Sequence, residues 1–145
     1  MDGITVITLS RNRPVLLKWC TASVQNQDYA GKIQHLILVD NCWETASFLK
    51  EEYQSRQHLT WMLRGRNLDE SSGPIHLARL RNLGIRMAET AWICFLDDDN
   101  EYEPFYLSKL IEVRKKIRES SSAFLDATFS FWRETLSSLS WKRHL

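Results

Sequence analysis

Several kinds of protein are excluded by what this sequence lacks. None of its apolar runs approaches the ~20 residues that a membrane-spanning helix needs, and Asp2 opens a segment without the apolar core of a signal peptide. The three cysteines, Cys20, Cys42 and Cys94, are odd in number, far apart and without a CxxC pair. They form neither a disulfide framework nor a zinc site and read as free thiols of a reducing compartment, so the cytoplasm is the expected location. With 19 Lys and Arg against 18 Asp and Glu, the net charge is +1, which gives no overall electrostatic pull on nucleic acid. Glycine and proline are scarce, at five and three residues, and no low-complexity linker or internal repeat breaks the chain.

What remains is an ordinary globular composition, 43% apolar and 26% charged over 145 residues, enough for one domain with a real core. Strand and helix patterns alternate. Ile4 to Leu9 is β-branched and apolar. Pro14 stands at a first helical position, followed at helical spacing by Leu16, Leu17, Cys20 and Val24. His35 to Asp40 is a nearly continuous apolar run, expected where both sheet faces are covered. A helix follows over about Glu44 to Arg56, then a short strand in which Leu59, Trp61 and Leu63 alternate. A polar loop spans Arg64 to Pro74, and His76 to Glu89 favours a helix in which Gly84 marks close packing. Ala91 to Leu96 reads as a buried strand, and Pro104 begins another helix that the Ser120-Ser121-Ser122 run ends. Ala123 to Trp132 is a further strand expectation, and Glu134 to Leu145 a tail. Repeated βα units imply a mostly parallel sheet with right-handed crossovers.

The strongest local signal is the triplet Asp97-Asp98-Asp99 directly after Ala91-Trp92-Ile93-Cys94-Phe95-Leu96. Such sheets bind ligands beyond the carboxyl ends of their strands. Adjacent carboxylates repel, so a positive group should hold them, and a hard cation such as Mg²⁺ or Mn²⁺ with a phosphorylated substrate suits oxygen ligands. An EF-hand is excluded: its loop needs a glycine at the sixth position, which here is Tyr102, and a helix before it. On the same sheet edge should fall Ser10-Arg11-Asn12-Arg13, Asp40-Asn41 and the loop from Arg64. These segments supply arginines for phosphate and hydroxyl or amide groups for a ribose or base.

The order of these pieces resembles glycosyltransferase family 2. The matching segments are Ile4 through Ser10-Arg11-Asn12-Arg13-Pro14, Leu36-Ile-Leu-Val-Asp40-Asn41, Gly73 through Arg81-Asn82-Leu83-Gly84-Ile85, and Phe95-Leu-Asp-Asp-Asp-Asn100 followed by Pro104. They cover residues 4–115, leaving 120–145 as a divergent tail. The resemblance implies a GT-A fold, a three-layer α/β/α sandwich with a mostly parallel sheet, here apparently truncated and forming a single domain over residues 1–145. It implies a nucleotide-diphosphate sugar as partner, with a UDP-sugar the first expectation. Ser10, Asn12, Arg13, Asp40, Asn41, Arg81, Asp97 and Asp98 are the expected nucleotide-sugar contacts, with Asp40 and Asn41 at the base. Asp99, with Asp97, is the expected ligand of Mn²⁺ or Mg²⁺.

Several positions depart from the family pattern. Leu9 replaces the usual proline and Arg11 the usual aromatic; Asn41 takes the place of a second acidic residue, and Cys42-Trp43 that of a Gly-Ser pair. For a general base, Asp126 and Glu134 are the acidic residues after the last matched helix. The expected activity is inverting transfer of the sugar to an acceptor. The alternative is a non-catalytic module that keeps the nucleotide-sugar site without an acceptor half, its tail apolar residues (Phe129, Phe131, Trp132) seeking a partner or self-association. A nucleotidyltransferase fits less well, since its first strand leads into a Gly-rich phosphate loop and Ser10-Arg11-Asn12-Arg13 contains no glycine.

Overall fold

A computed structural model describes residues 3–53, 59–65 and 74–120. The chain falls into two compact units, residues 1–108 and 109–145. The first contains strand β1 (Ile4–Ser10), helix α1 (Pro14–Gln25), β2 (Ile33–Asp40), α2 (Trp43–Tyr53), β3 (Leu59–Arg64), α3 (Pro74–Met87), β4 (Trp92–Phe95) and the start of α4 (Tyr106–Ser120). In the second unit the described part is the remainder of α4, where Lys116 pairs with Glu112 one turn earlier at 2.6 Å. The expected strand over Ala123 to Trp132, the tail from Glu134, and the candidates Asp126 and Glu134 lie outside the described residues.

Among the described residues the sheet has four strands in the order β3-β2-β1-β4, every pair parallel. Ile4 pairs with Ile33 and with Trp92, and His35 with Leu59. Because side chains alternate along a strand, this register sorts the core into two faces. On one face Leu17 of α1 and Ala46, Leu49 and Tyr53 of α2 pack with Ile37 and Val39, against the inner residues Leu59, Trp61 and Leu63 of β3. On the other, Ile7, Leu36 and Leu38 pack with Leu80 of α3. Helices therefore cover both faces, and the α/β/α layering read from the sequence is present. Burying each such aliphatic side chain contributes roughly 1.5–3 kcal/mol.

Polar groups inside these layers are mostly bonded to each other. Thr5 Oγ1 donates to Gln34 Oε1 at 2.7 Å, and the same oxygen accepts the Glu89 N–H at 2.9 Å. His35 is buried and meets Thr8 Oγ1 at 3.0 Å; burial pushes its pKa down to about 3, so the ring is neutral. Cys20 and Cys94 are free thiols, the first pushed up to about 12 chiefly by burial, which makes it a packing residue rather than a nucleophile.

Two elements differ from the sequence expectation, and a third is described only in part. Helix α2 is described to Tyr53, and 54–58 lie outside the described residues. Helix α4 begins at Tyr106, not Pro104. The Pro104 carbonyl accepts the Asp28 N–H at 2.6 Å, and Gln27 Oε1 accepts the Leu107 N–H at 2.9 Å, so the helix start is capped from α1's end. Strand β4 is not buried as expected: Trp92, Ile93 and Phe95 are 36–44% exposed. Among the described strands it stands at the end of the order and pairs with β1 alone.

Candidate functional site

A parallel sheet brings the carboxyl ends of its strands to one edge, and there β1 ends at Ser10, β2 at Asp40 and β4 two residues before Asp97. The loop after β1 ties these ends together. Pro14 takes the first helical position of α1, as the sequence predicts, with Arg13 at the N-cap position and its side chain free for other contacts. Asn12 before it adopts φ 54°, a left-handed conformation that asparagine tolerates better than most residues, and its N–H donates to Thr45 Oγ1 at 2.9 Å. Flanking this residue, Arg11 reaches Asp40 at 3.7 Å while Arg13 reaches Asp98 at 3.3 Å and Asp99 at 3.0 Å. Arg81 of α3 approaches Asp97 at 3.5 Å and stacks over the Phe95 ring, 5.9 Å from its centroid. Each aspartate thus faces a guanidinium. The positive charge that three adjacent carboxylates demand comes, in the chain itself, from arginines.

The triplet is a turn. The Asn100 N–H donates to the Asp97 carbonyl at 3.0 Å, and the turn buries Asp98 while leaving Asp97 and Asp99 with side-chain exposures of 64% and 47%. Among the described residues, no group of three His, Cys, Asp or Glu side chains is close enough to enclose a metal ion. The segment after the turn is held down by side chains of α1's end: Ser23 Oγ accepts the Tyr102 N–H at 3.1 Å, and Gln27 Nε2 donates to the Glu103 carbonyl at 2.7 Å. Tyr102 stacks on Tyr106 with centroids 4.1 Å apart and donates to the Phe95 carbonyl at 2.9 Å. Burial raises its hydroxyl's pKa, so it stays protonated as a donor. Beside this turn opens a cleft of about 460 Å³ lined by Arg81, Phe95, Asp97, Asn100, Glu101 and Tyr102.

Each expected contact residue can be placed. Ser10 is buried at the end of β1, its hydroxyl without a partner among the described residues. Asn41 is exposed with φ 43°, its N–H bonded to the Arg64 carbonyl at 2.9 Å. Asp40 is buried, and its Oδ1 lies 2.8 Å from His76 Nε2, itself buried. The motifs of the sequence do not single out His76. The signal that exposes it is the four-residue spacing His76, Leu80, Gly84, one stripe of α3.

The sequence matches the family described as Glycosyl transferase family 2 over residues 5–134. The chain belongs to glycosyl transferase family 2. No curated protein matches it. Solved structures agree with the family fold: S. aureus TarS aligns with a TM-score of 0.64 at 19% identity, covering 80% of this chain and 20% of that one. TarS 1–349 in complex with UDP-GlcNAc aligns at 0.61 and 19%, covering 81% and 31%. The mannosyltransferase PcManGT from Pyrobaculum calidifontis, in complex with GDP-Man and Mn²⁺, aligns at 0.54 and 20%, covering 68% and 28%. This family 2 chain therefore spans a third or less of the solved proteins it resembles.

Proposed function

We propose that this chain forms the donor-binding part of a glycosyltransferase that moves a sugar, with inversion, from a nucleotide-diphosphate sugar to an acceptor hydroxyl. The observation that carries the reading is the Arg11-Asn12-Arg13 loop, which joins Asp40 at the end of β2 to Asp98 and Asp99 beyond β4. One loop thereby links the polar end of β2 to the carboxylate cluster beyond β4. Asp40 and Asn41 receive the base, Asp97 and Asp98 the ribose, and Arg13 and Arg81 help hold the donor, with Ser10 and Asn12 completing the contacts. The TarS and PcManGT complexes, with UDP-GlcNAc and GDP-Man, support this substrate class, and a UDP-sugar is the first donor to test.

The donor set fits Mn²⁺ or Mg²⁺. Asp99 and Asp97 offer exposed hard oxygens but no enclosing cage, the pattern of a cation held by one or two carboxylates plus substrate phosphates. A cation there would neutralise charge on the departing nucleoside diphosphate. The chain's own residues do the rest: Arg13 holds Asp98 and Asp99 in the turn, and Arg81 offers a guanidinium for the same developing charge. Proton removal from the acceptor falls to a carboxylate, with Asp126 and Glu134 the first to test. Three free thiols suit a reducing, cytoplasmic setting.

Turnover of UDP- and GDP-sugars, with and without acceptor sugars, tests the reading. Donor binding is the expected result, and any transfer should fall about 10²–10⁴-fold when the carboxylate that removes the proton is replaced, Asp126→Asn and Glu134→Gln first. Absence of any nucleotide-sugar binding would refute it.

A further inference from the structure

The stripe His76, Leu80, Gly84 lays α3 along β2 and β1, and its upper end meets the site. Leu36, Leu38 and Asp40 alternate onto the α3 face of β2, where the first two pack against Leu80. Four residues before Leu80, on the same helix face, His76 meets Asp40 as Leu80 meets the leucines. The pair is nearly closed to solvent, with His76 3% and Asp40 5% exposed, and the contact is 2.8 Å from Nε2 to Oδ1. The other carboxylate oxygen, Oδ2, lies 3.7 Å from Arg11. A carboxylate has about four lone-pair sites, so the hydrogen bond to His76 and the longer ion pair with Arg11 do not exhaust it.

We infer that His76 is a positioning residue for nucleobase selection. By donating to Oδ1 it fixes the rotation of the Asp40 carboxylate, so that the carboxylate accepts from a base that carries a ring N–H. Uracil presents N3–H, and guanine presents N1–H beside its exocyclic amine. Cytosine and adenine offer only a lone pair at the corresponding ring nitrogen and meet the carboxylate's charge unfavourably. His76 thus contributes to discrimination through Asp40 without touching the ligand. The inference rests on the reading of Asp40 as the base contact, and the experiment separates the two.

Calorimetric titration of UDP, GDP, CDP and ADP into the full chain in Mn²⁺ is the test, with His76→Leu, His76→Gln and Asp40→Asn as variants. Wild type should prefer UDP or GDP. His76→Leu should lose about tenfold for the preferred nucleotide, the scale of one hydrogen bond to a charged group, with little change for CDP and ADP. His76→Gln, whose amide can still donate to Oδ1, should recover most of that loss, a rescue that a purely structural role would not give. If His76→Leu does not fold, His76→Asn, polar but too short to reach, takes its place. Loss of preference in Asp40→Asn with His76→Leu unchanged from wild type would overturn the positioning role alone. A wild type indifferent to all four bases would overturn the reading of Asp40 and the inference with it.

Discussion

Gly84 is where a single methyl group should be felt most. A Cβ built there would lie 2.8 Å from Ile7 Cγ2, 3.2 Å from Ile7 Cδ1 and 3.2 Å from Leu38 Cδ1, whereas carbon atoms prefer about 3.5–4.0 Å. Neither neighbour can yield easily: Ile7 is 1% and Leu38 0% exposed, on the two central strands of the described sheet. Overpacking of this kind costs about 1–3 kcal/mol. Against it, alanine is favoured over glycine inside a helix by about 1 kcal/mol. Gly84→Ala should therefore destabilise by about 1 kcal/mol net, read as a lower urea midpoint at constant slope. The reasoning makes a sharper demand in the Ile7→Ala background, which removes both Ile7 atoms at a cost of about 2–5 kcal/mol by itself. There Gly84→Ala should turn neutral or stabilising, a coupling of about 1–2 kcal/mol. A higher midpoint for Gly84→Ala alone, or equal destabilisation in both backgrounds, would refute the close-approach account.

Asp99→Asn should remove most of the Mn²⁺ dependence of nucleoside diphosphate binding, because it deletes a charged oxygen ligand; titration with and without EDTA checks this. Folding should weaken in acid through His35. Its folded pKa lies near 3 against an ordinary 6.5, so the unfolded chain binds the extra proton between those values. Stability is then full above pH 6.5 and falls with pH by roughly 1–1.5 kcal/mol per unit toward pH 3. His35→Gln, which keeps a partner for Thr8, should flatten that slope in urea titrations from pH 7 to 4. Asn12→Ala should cost about 1 kcal/mol and Asn12→Gly only a few tenths, since φ 54° is left-handed, and thermal melts decide it.

The four described strands were legible because their signal is local. Period-two alternation in Leu59, Trp61 and Leu63 gives a half-buried strand, and the unbroken run before Asp40 gives one covered on both faces. The arginine and aspartate segments were legible as members of one edge because a parallel sheet leaves no other arrangement of its strand ends. What stayed hidden depends on pairings distant in sequence. Nothing near Pro104 announces that Asp28 takes its carbonyl, and nothing near Asp98 announces that Arg13, 85 residues earlier, reaches it. His76 escaped notice for the same reason: its partner is on another element, 36 residues away. The exposure of β4 was equally illegible, since an apolar run encodes what a strand can bury but not its place in the strand order.

The left-handed backbone at Asn12 has a consequence for anyone who would retarget this site. With its two neighbours sent to separate aspartates, Arg11 to Asp40 and Arg13 to Asp98 and Asp99, three consecutive residues set both ends of the proposed donor cradle. Such ends are not independent variables for engineering. A library that varies Arg11 to change the nucleotide will also disturb the grip on the aspartate turn. Substitutions at positions 11 and 13 therefore have to be screened as pairs, with residue 12 restricted to asparagine or glycine.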